Sequence, residues 1–168
     1  MNVIDIAKEH ARELAAKVLH TGDRQPTSQS ITIGRPTETV TAFFQDPAAL
    51  SQVFGDIADV EQTGPHRLRW TFLGQDDGTG VWECVVTADE HAVRFDDVRP
   101  DSTNQIVLEV RDAPQSLGTE VLARVSSPAP GRLTAPLTYK VLYRARALLQ
   151  TGELPTIKHN PSARRSDR

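Results

Sequence analysis

Between residues 57 and 126 the chain alternates polar and apolar residues in short segments, and this pattern constrains the fold more than any other feature. Six strands are predicted, at 57–63, 67–73, 80–88, 91–98, 104–112 and 118–126. The breaks between them are short and carry Gly, Pro, Asp or Glu, as turns do. Because such short connections join antiparallel neighbours, the six strands are predicted to form a meander.

The elements on either side of the meander complete the predicted fold. A strand ends at Ile33, and two short helices follow it, the first opened by Pro36 and the second by Asp46-Pro47. After residues 128–132 the apolar residues return at helical spacing as far as Gly152. The predicted fold class is α+β. A curved, seven-stranded antiparallel sheet has one apolar face, and a long C-terminal helix covers it.

The two ends of the chain are predicted to lie outside this domain. Residues 2–20 repeat apolar side chains at three- and four-residue steps and predict an extra N-terminal amphipathic helix. This helix packs either on its own domain or on a second copy, as a homodimer. The predicted organisation is 1–26 for helix and linker, 27–154 for the α+β domain, and 155–168 for a basic, disordered tail.

Composition argues against several classes of function. A net charge of −3 over 168 residues gives no case for a nucleic-acid partner, and no apolar run approaches the roughly 18 residues of a membrane span. The single cysteine, Cys84, rules out an intrachain disulfide and fits a reducing cytoplasm. The five histidines show no metal-ligand spacing and there is no CxxC pair, so neither a metal nor a cofactor is predicted.

Three stretches carry a resemblance to a known family. SITIGRPTETVTAFFQDPAALSQVF (30–54) resembles the start of the polyketide cyclase/dehydrase, coenzyme Q-binding-like branch of the START-like (SRPBCC) superfamily. HRLRWTF (66–72) with GVWECVV (80–86) resembles its paired tryptophan strands, and RALLQTGELPT (146–156) resembles the end of its C-terminal helix. The resemblance covers about residues 28–156 and implies a helix-grip fold. It also implies a hydrophobic or amphipathic ligand held between sheet and long helix, and enzymatic activity in a minority of members.

Every second residue along each strand is apolar, and these residues, the inward parity, are predicted to face the helix. It carries large aromatic residues on adjacent strands, which either line a pocket and stack on a flat ligand or fill a solid core. The aromatic residues of the two short helices form either a gate or the end of the core. The predicted ligand contacts are Trp70, Trp82, Phe95, Cys84, Leu108, Phe72, Phe43, Phe54 and Val141.

Few inward positions offer an acid or base for catalysis. Gln62, Asp97 and Cys84 are the polar residues of the inward parity, and Tyr139 and Tyr143 lie on the last helix. Tyr143 and Asp97 are the candidate catalytic residues. The plainer interpretation makes Asp97 a solvated turn residue and leaves both tyrosine hydroxyls at the rim. Cys84 is expected to have a raised pKa in apolar surroundings and to be inert.

The opposite parity of the strands is charged. Arg69, Glu83, Arg94, Glu109 and Arg124 follow one another on successive strands with alternating sign. If the registers bring these residues level, they predict a ladder of cross-strand ion pairs on the solvent face.

The sequence therefore predicts binding of a small hydrophobic molecule, such as a lipid, quinone or polyketide-like compound, between the sheet and the C-terminal helix. The scarcity of inward polar groups predicts loose specificity. One alternative is a cyclase or dehydratase, which requires Asp97 and Tyr143 to converge on one ligand atom. A second alternative is a protein-interaction module that dimerises through residues 2–20.

Overall fold

The structure is a computed structural model that describes residues 27–73, 80–126 and 133–155. The predicted N-terminal helix, with the homodimer assigned to residues 2–20, lies outside the described residues. So does the tail beyond residue 155. The domain boundaries at 26 and 154 stay predictions.

In these described ranges, seven strands form one antiparallel sheet in the order β1-β7-β6-β5-β4-β3-β2. The strands are β1 (Thr27–Ile33), β2 (Ala58–Gly64), β3 (Arg67–Phe72), β4 (Gly80–Ala88), β5 (Ala92–Asp97), β6 (Gln105–Asp112) and β7 (Thr119–Ser126). Strands β2 to β7 pair consecutively, and β1 joins the end of this meander by pairing with β7. The predicted topology is confirmed, and each predicted strand lies within two residues of its position in the structure.

Within the described residues, three α-helices accompany the sheet: α1 (Thr37–Gln45), α2 (Pro47–Phe54) and α3 (Ala135–Thr151). Asp46 caps α2 by accepting a hydrogen bond from the Ala48 N–H at 3.0 Å, and Pro47 occupies the first turn. The long helix α3 ends at Gly152, whose φ of 75° is the left-handed conformation typical of a glycine cap. The described domain is therefore α+β and has the helix-grip arrangement, with a C-terminal helix packed on the sheet.

The end of β1 is anchored to the end of α3. The Arg35 guanidinium donates to the Leu149 carbonyl oxygen through Nε at 2.7 Å. The Arg35 carbonyl in turn accepts a 2.8 Å hydrogen bond from the hydroxyl of Thr119, which is fully buried. A short 3-10 helix at Pro114–Ser116, absent from the sequence prediction, leads into Gly118 beside this junction. These contacts join the segment that follows β1 to α3 and to β7.

The inward parity of the sheet is apolar, as the alternation predicts. Its members from all the strands pack with the buried faces of the three helices in one hydrophobic core. Gln62 has this parity but is exposed, and its side-chain amide donates to the Gly64 carbonyl next to a β-bulge. The bulge ends the regular alternation of β2, so parity no longer fixes the direction of this side chain.

The charged ladder on the outer face forms only in part. Arg69 and Glu83 pair directly at 2.8 Å, and Arg124 pairs with Glu109 at 3.0 Å. Arg94 lies opposite Thr87 on β4, four residues from Glu83. Since four strand residues span about 13 Å, Arg94 is not level with Glu83 and the ladder is divided into two separate pairs.

Candidate functional site

An apolar cavity lies beneath α3, between that helix, the short helices and the sheet. Its walls come from α1 and α2, from β3, β5, β6 and β7, and from the start and middle of α3. Every lining residue is buried, and Thr138 is the one polar side chain among them. The Thr138 hydroxyl donates to the Thr134 carbonyl at 3.0 Å, so its proton is already engaged within the helix. The cavity wall is therefore apolar except for this engaged hydroxyl.

The cavity is small. The cavity volume is about 30 Å³, enough for one or two water molecules. Pockets that hold drug-sized ligands measure roughly 300–1,000 Å³. A ligand of that size fits only if α2 or α3 moves relative to the sheet.

Trp70 is the centre of an aromatic cluster beside the cavity. Its ring meets Phe54 edge-to-face at a centroid distance of 4.6 Å and Phe95 edge-to-face at 5.7 Å. Trp82 lies 5.8 Å away in a tilted arrangement, and Phe72 stacks at 6.1 Å. Trp70 is only 1% exposed. The cluster both fills the core and forms one wall of the cavity, so the two interpretations of these residues are not exclusive.

Five of the predicted ligand contacts border the cavity, which also reaches residues that the sequence did not single out. The five are Trp70, Phe95, Leu108, Phe54 and Val141. Ala123 and Leu133 are among the additional lining residues. Ala123 shares the inward parity of β7, and this parity is the sequence signal that could have identified it. Because its side chain is small, however, the sequence gives no reason to expect a ligand contact there. Thr138 lies at helical spacing from Val141 and Leu142. It was missed because threonine is polar and the prediction followed apolar residues.

Four predicted contacts lie away from the cavity. Trp82, Phe72 and Cys84 are buried in the core on β3 and β4 without bordering the cavity. Phe43 is partly buried and packs edge-to-face on Phe44 at 5.3 Å. Strand parity predicts which face a residue occupies, and all three strand residues are on the predicted face. It does not predict which part of that face the helix leaves uncovered.

The candidate catalytic residues are not brought together. The Asp97 side chain is 2% exposed and binds its own loop, accepting hydrogen bonds from Arg99, Ser102 and Asn104. The bonds from Arg99 hold the pKa of Asp97 well below its usual range, because they stabilise the charged carboxylate. Tyr143 is 47% exposed on the outer side of α3, and Tyr139 is 48% exposed. Asp97 is thus a buried loop anchor rather than a solvated turn residue.

The Cys84 thiol is neutral and unreactive. Burial raises its pKa to about 12, because the apolar surroundings disfavour the thiolate. The Trp70 indole lies close enough to moderate this rise in pKa, although its N–H does not reach hydrogen-bond geometry with the sulfur. The inward position of Cys84 is confirmed, and the raised pKa supports the prediction that the thiol is inert.

Within the described residues, two of the three buried side-chain polar atoms without a hydrogen-bond partner are indole nitrogens. The indole N–H groups of Trp70 and Trp82 find no hydrogen-bond partner within the described part of the chain. The two side chains face each other across β3 and β4 in the sheet register. A buried donor left unpaired costs about 1–3 kcal/mol, so such groups are uncommon in native proteins.

A polar link joins α2 to α3 at the rim of the cavity. Arg144 of α3 donates to the Val53 carbonyl at 3.2 Å and to the Phe54 carbonyl at 3.4 Å, two backbone acceptors in the last turn of α2. It also donates to the Asp56 carboxylate at 2.7 Å, and Lys140 reaches the same carboxylate at 3.2 Å. Any movement of α2 away from α3 must break these contacts.

The link predicts a loss of stability in acid. The Arg144 hydrogen bond, with a further one from Lys140, lowers the pKa of Asp56 from 3.8 to about 2, and desolvation opposes the shift. A carboxylate with a lowered pKa stabilises the fold above its unfolded pKa, and this contribution disappears as pH falls from about 4 to about 2. Because Asp56 is 66% exposed, we expect a contribution of no more than about 1 kcal/mol.

Urea unfolding of wild type and Asp56→Asn, repeated from pH 7 to pH 2, measures this contribution. The variant is expected to be less stable at pH 7, and the difference is expected to vanish towards pH 2. Asp59→Asn is the matched control, since Asp59 is an exposed β2 residue with no ion pair among the described residues. A stability difference that stays constant over this pH range would contradict the assignment.

The described ranges contain neither a cluster of metal-binding side chains nor a helix that could span a membrane. No three His, Cys, Asp or Glu side chains in 27–73, 80–126 and 133–155 cluster as metal ligands would. In the same ranges, none of the helices combines the length and apolar character required to cross a bilayer.

Comparison with known proteins supports the fold. No protein-family model and no curated protein matches the chain. Among solved structures it is similar to DR_A0006 from Deinococcus radiodurans, with 26% identity, 77% of this chain and 100% of that chain covered, and a TM-score of 0.62. It is also similar to Ms6760 from Mycobacterium smegmatis, with 16% identity, 74% and 90% coverage, and a TM-score of 0.55.

The Aha1 dimer from Colwellia psychrerythraea is a third similar structure, with 13% identity, 76% and 98% coverage, and a TM-score of 0.55. These likenesses fit an SRPBCC-like fold, and none of the three names states a ligand or a reaction. They therefore bear on architecture and leave the function to be argued from the site.

Proposed function

We propose that this domain binds a small hydrophobic molecule between the sheet and α3, in an enlarged form of the apolar cavity. The observation that carries the proposal is the cavity wall, which is buried, apolar apart from Thr138, and assembled from several separate elements. Transfer of an apolar ligand from water into such a space is favourable by about 25 cal/mol for each Å² of buried apolar surface.

Enlargement of the cavity is a movement of helices against a sheet. The backbone of α3 lies closest to β1 and to α2, and side chains fill the space between α3 and the central strands. A shift of α3 or α2 therefore repacks side chains without breaking the strand pairing. A ligand that binds only the enlarged form increases its population by mass action.

The class of ligand follows from the resemblance and from the wall. A lipid, a quinone or a polyketide-like compound suits an apolar cleft, and the polyketide cyclase/dehydrase, coenzyme Q-binding-like branch is the part of the superfamily that we propose. Binding is favoured over catalysis because no acidic or basic side chain of the described residues borders the cavity. The inward carboxylate of Asp97 is already bound by residues of its own loop.

Native mass spectrometry of freshly purified full-length protein, followed by organic extraction, tests the proposal. We expect a discrete added mass in wild type. Ala123→Leu should abolish it, because Ala123 is 1% exposed and borders the cavity, so leucine fills the space. Overpacking of this kind costs about 1–3 kcal/mol, and circular dichroism should confirm that the variant is folded.

Ala88→Leu is the matched control, since Ala88 is exposed at the end of β4 and does not border the cavity. It is expected to retain the added mass. An apo mass in wild type, with no stabilisation by added apolar compounds, would argue against the proposed function. The same added mass on folded Ala123→Leu would place the ligand elsewhere.

A further inference from the structure

We propose that the polar link between α2 and α3 is a latch that controls entry of the ligand. The latch consists of the contacts that Arg144 and Lys140 make with Asp56 and with the last turn of α2. When these contacts break, the first half of α3 swings away from the sheet about an anchor at Arg35, and the cavity enlarges. This inference rests on the proposed function and names the regulation of its site.

The part of α3 that covers the cavity is its first half. Thr138, Val141 and Leu142 are the α3 residues that border the cavity, and residues 143–151 do not border it. Movement of residues 135–142 away from the sheet is therefore sufficient to enlarge the cavity, and the second half of the helix can stay in place.

Polar contacts attach α3 to the rest of the described domain at two places. At its far end, the Arg35 guanidinium donates to the Leu149 carbonyl at 2.7 Å. The other place is the latch, where Lys140 and Arg144 donate to the Asp56 carboxylate at 3.2 Å and 2.7 Å. Loss of the latch leaves the first half of α3 held by apolar contacts alone, while the Arg35 anchor still holds the end.

The α2 side of the latch is fixed to the sheet. The Ser51 hydroxyl donates to the Val60 carbonyl at 2.7 Å and accepts from the Val60 N–H at 2.9 Å, so α2 is bonded to β2. Phe54 borders the cavity with its side chain, while its carbonyl accepts the bond from Arg144. The latch thus lies where α2 and α3 meet above the cavity, and α3 is the element that moves.

The latch is weak enough to open. The Asp56 side chain is 66% exposed and the Lys140 side chain 43% exposed, so water competes for their charges. Loss of one such exposed ion pair changes an equilibrium by up to about fivefold. A ligand that binds only the open form gains apparent affinity by the same factor as the open population gains.

A buried thiol tests the helix movement without a ligand. Val141 is 5% exposed and borders the cavity, so Val141→Cys places a thiol that N-ethylmaleimide reaches only when α3 moves. The native Cys84 is fully buried away from the cavity and is labelled only on unfolding of the sheet. In full-length protein we expect the introduced thiol to be labelled at least tenfold faster than Cys84, because a local opening is more populated than global unfolding.

Removal of the latch should make this labelling faster. Asp56→Asn keeps the size of the side chain, removes its charge, and is expected to increase the labelling rate of the introduced thiol about three- to fivefold. Glu83→Gln is the matched control, since it breaks a comparable exposed ion pair, with Arg69 at 2.8 Å, on the outer face of the sheet. It is expected to change the rate less than twofold, because that pair is intact in both positions of α3.

Binding of N-phenyl-1-naphthylamine gives the second readout. This probe is apolar, fluoresces on leaving water, and is uncharged, so the charge of Asp56 does not act on it directly. In the native cysteine background, Asp56→Asn is expected to lower its apparent Kd about three- to fivefold, and Glu83→Gln to change it less than twofold.

The outcomes separate the two proposals. If the probe binds wild type and Asp56→Asn equally, the latch is overturned while the proposed function stands. An introduced thiol labelled no faster than Cys84, or at a rate that Asp56→Asn does not change, also overturns the latch. If labelling responds to Asp56→Asn but none of the proteins binds the probe, the proposed function fails, and control of ligand entry fails with it.

Discussion

Replacement of Gly118 by alanine is expected to destabilise the domain by more than about 3 kcal/mol. Gly118 has a φ of +110°, a conformation that residues with a Cβ rarely adopt. A Cβ at this position would overlap the Ile33 carbonyl oxygen and lie 2.8 Å from both the Arg35 nitrogen and the Gly34 Cα. All three are backbone atoms at the end of β1, so no side-chain rotation relieves the overlap.

The expected loss is large because several contacts depend on this close approach. The Gly118 carbonyl accepts a 2.8 Å hydrogen bond from the Ala113 N–H. The adjacent Thr119 hydroxyl binds the Arg35 carbonyl, and the Arg35 side chain binds the end of α3. If β1 and the β6–β7 connection separate to admit a methyl group, these contacts lengthen together.

Urea unfolding followed by tryptophan fluorescence measures the effect of Gly118→Ala. Gly152→Ala is the matched control, because Gly152 also has a positive φ, of 75°, but nothing lies within 4 Å of its hypothetical Cβ. The control is expected to cost only about 1 kcal/mol, from conformation alone. Equal losses in the two variants would show that the close approach at Gly118 is tolerated.

The topology could be predicted because it depends on local signals. The alternation of residues 57–126 fixes which side chains share a face, and each short turn fixes an antiparallel neighbour. The two short helices were predictable for the same reason, since Pro36 and Asp46-Pro47 act within a single turn. The residues already indicated the topology, and the family resemblance indicated which known fold has it.

The site was less predictable because it depends on distances between elements. Parity placed Trp82 and Cys84 on the correct face, but the separation of α3 from each strand decides which residues border the cavity. Asp97 is the last residue of β5. Only the folded loop that follows it shows that Ser102 and Asn104 bind its carboxylate. The strand registers that divide the charged ladder are also set by turn geometry. The alternation of polar and apolar residues does not predict that geometry.

Truncation of Trp70 to alanine is expected to cost about 3–5 kcal/mol, the usual range for loss of a large buried aromatic residue. Trp70 is 1% exposed and contacts four other aromatic rings, including Phe54 and Phe95, which also border the cavity. Its removal loses both the transfer free energy of the ring and the dispersion contacts of the neighbours left behind. Urea unfolding measures the loss, with Trp82 as the remaining fluorophore.

Tyr143→Ala removes an aromatic ring from α3 that is 47% exposed, so we expect a change within about 0.5 kcal/mol. A loss below about 1.5 kcal/mol for Trp70→Ala would mean that the core collapses into the vacated space, against the rigid packing of protein interiors.

If the space persists, it merges with the cavity that Trp70 borders, and added indane should then restore part of the lost stability. The same variant therefore tests both the stabilising contribution of Trp70 and its position in the cavity wall.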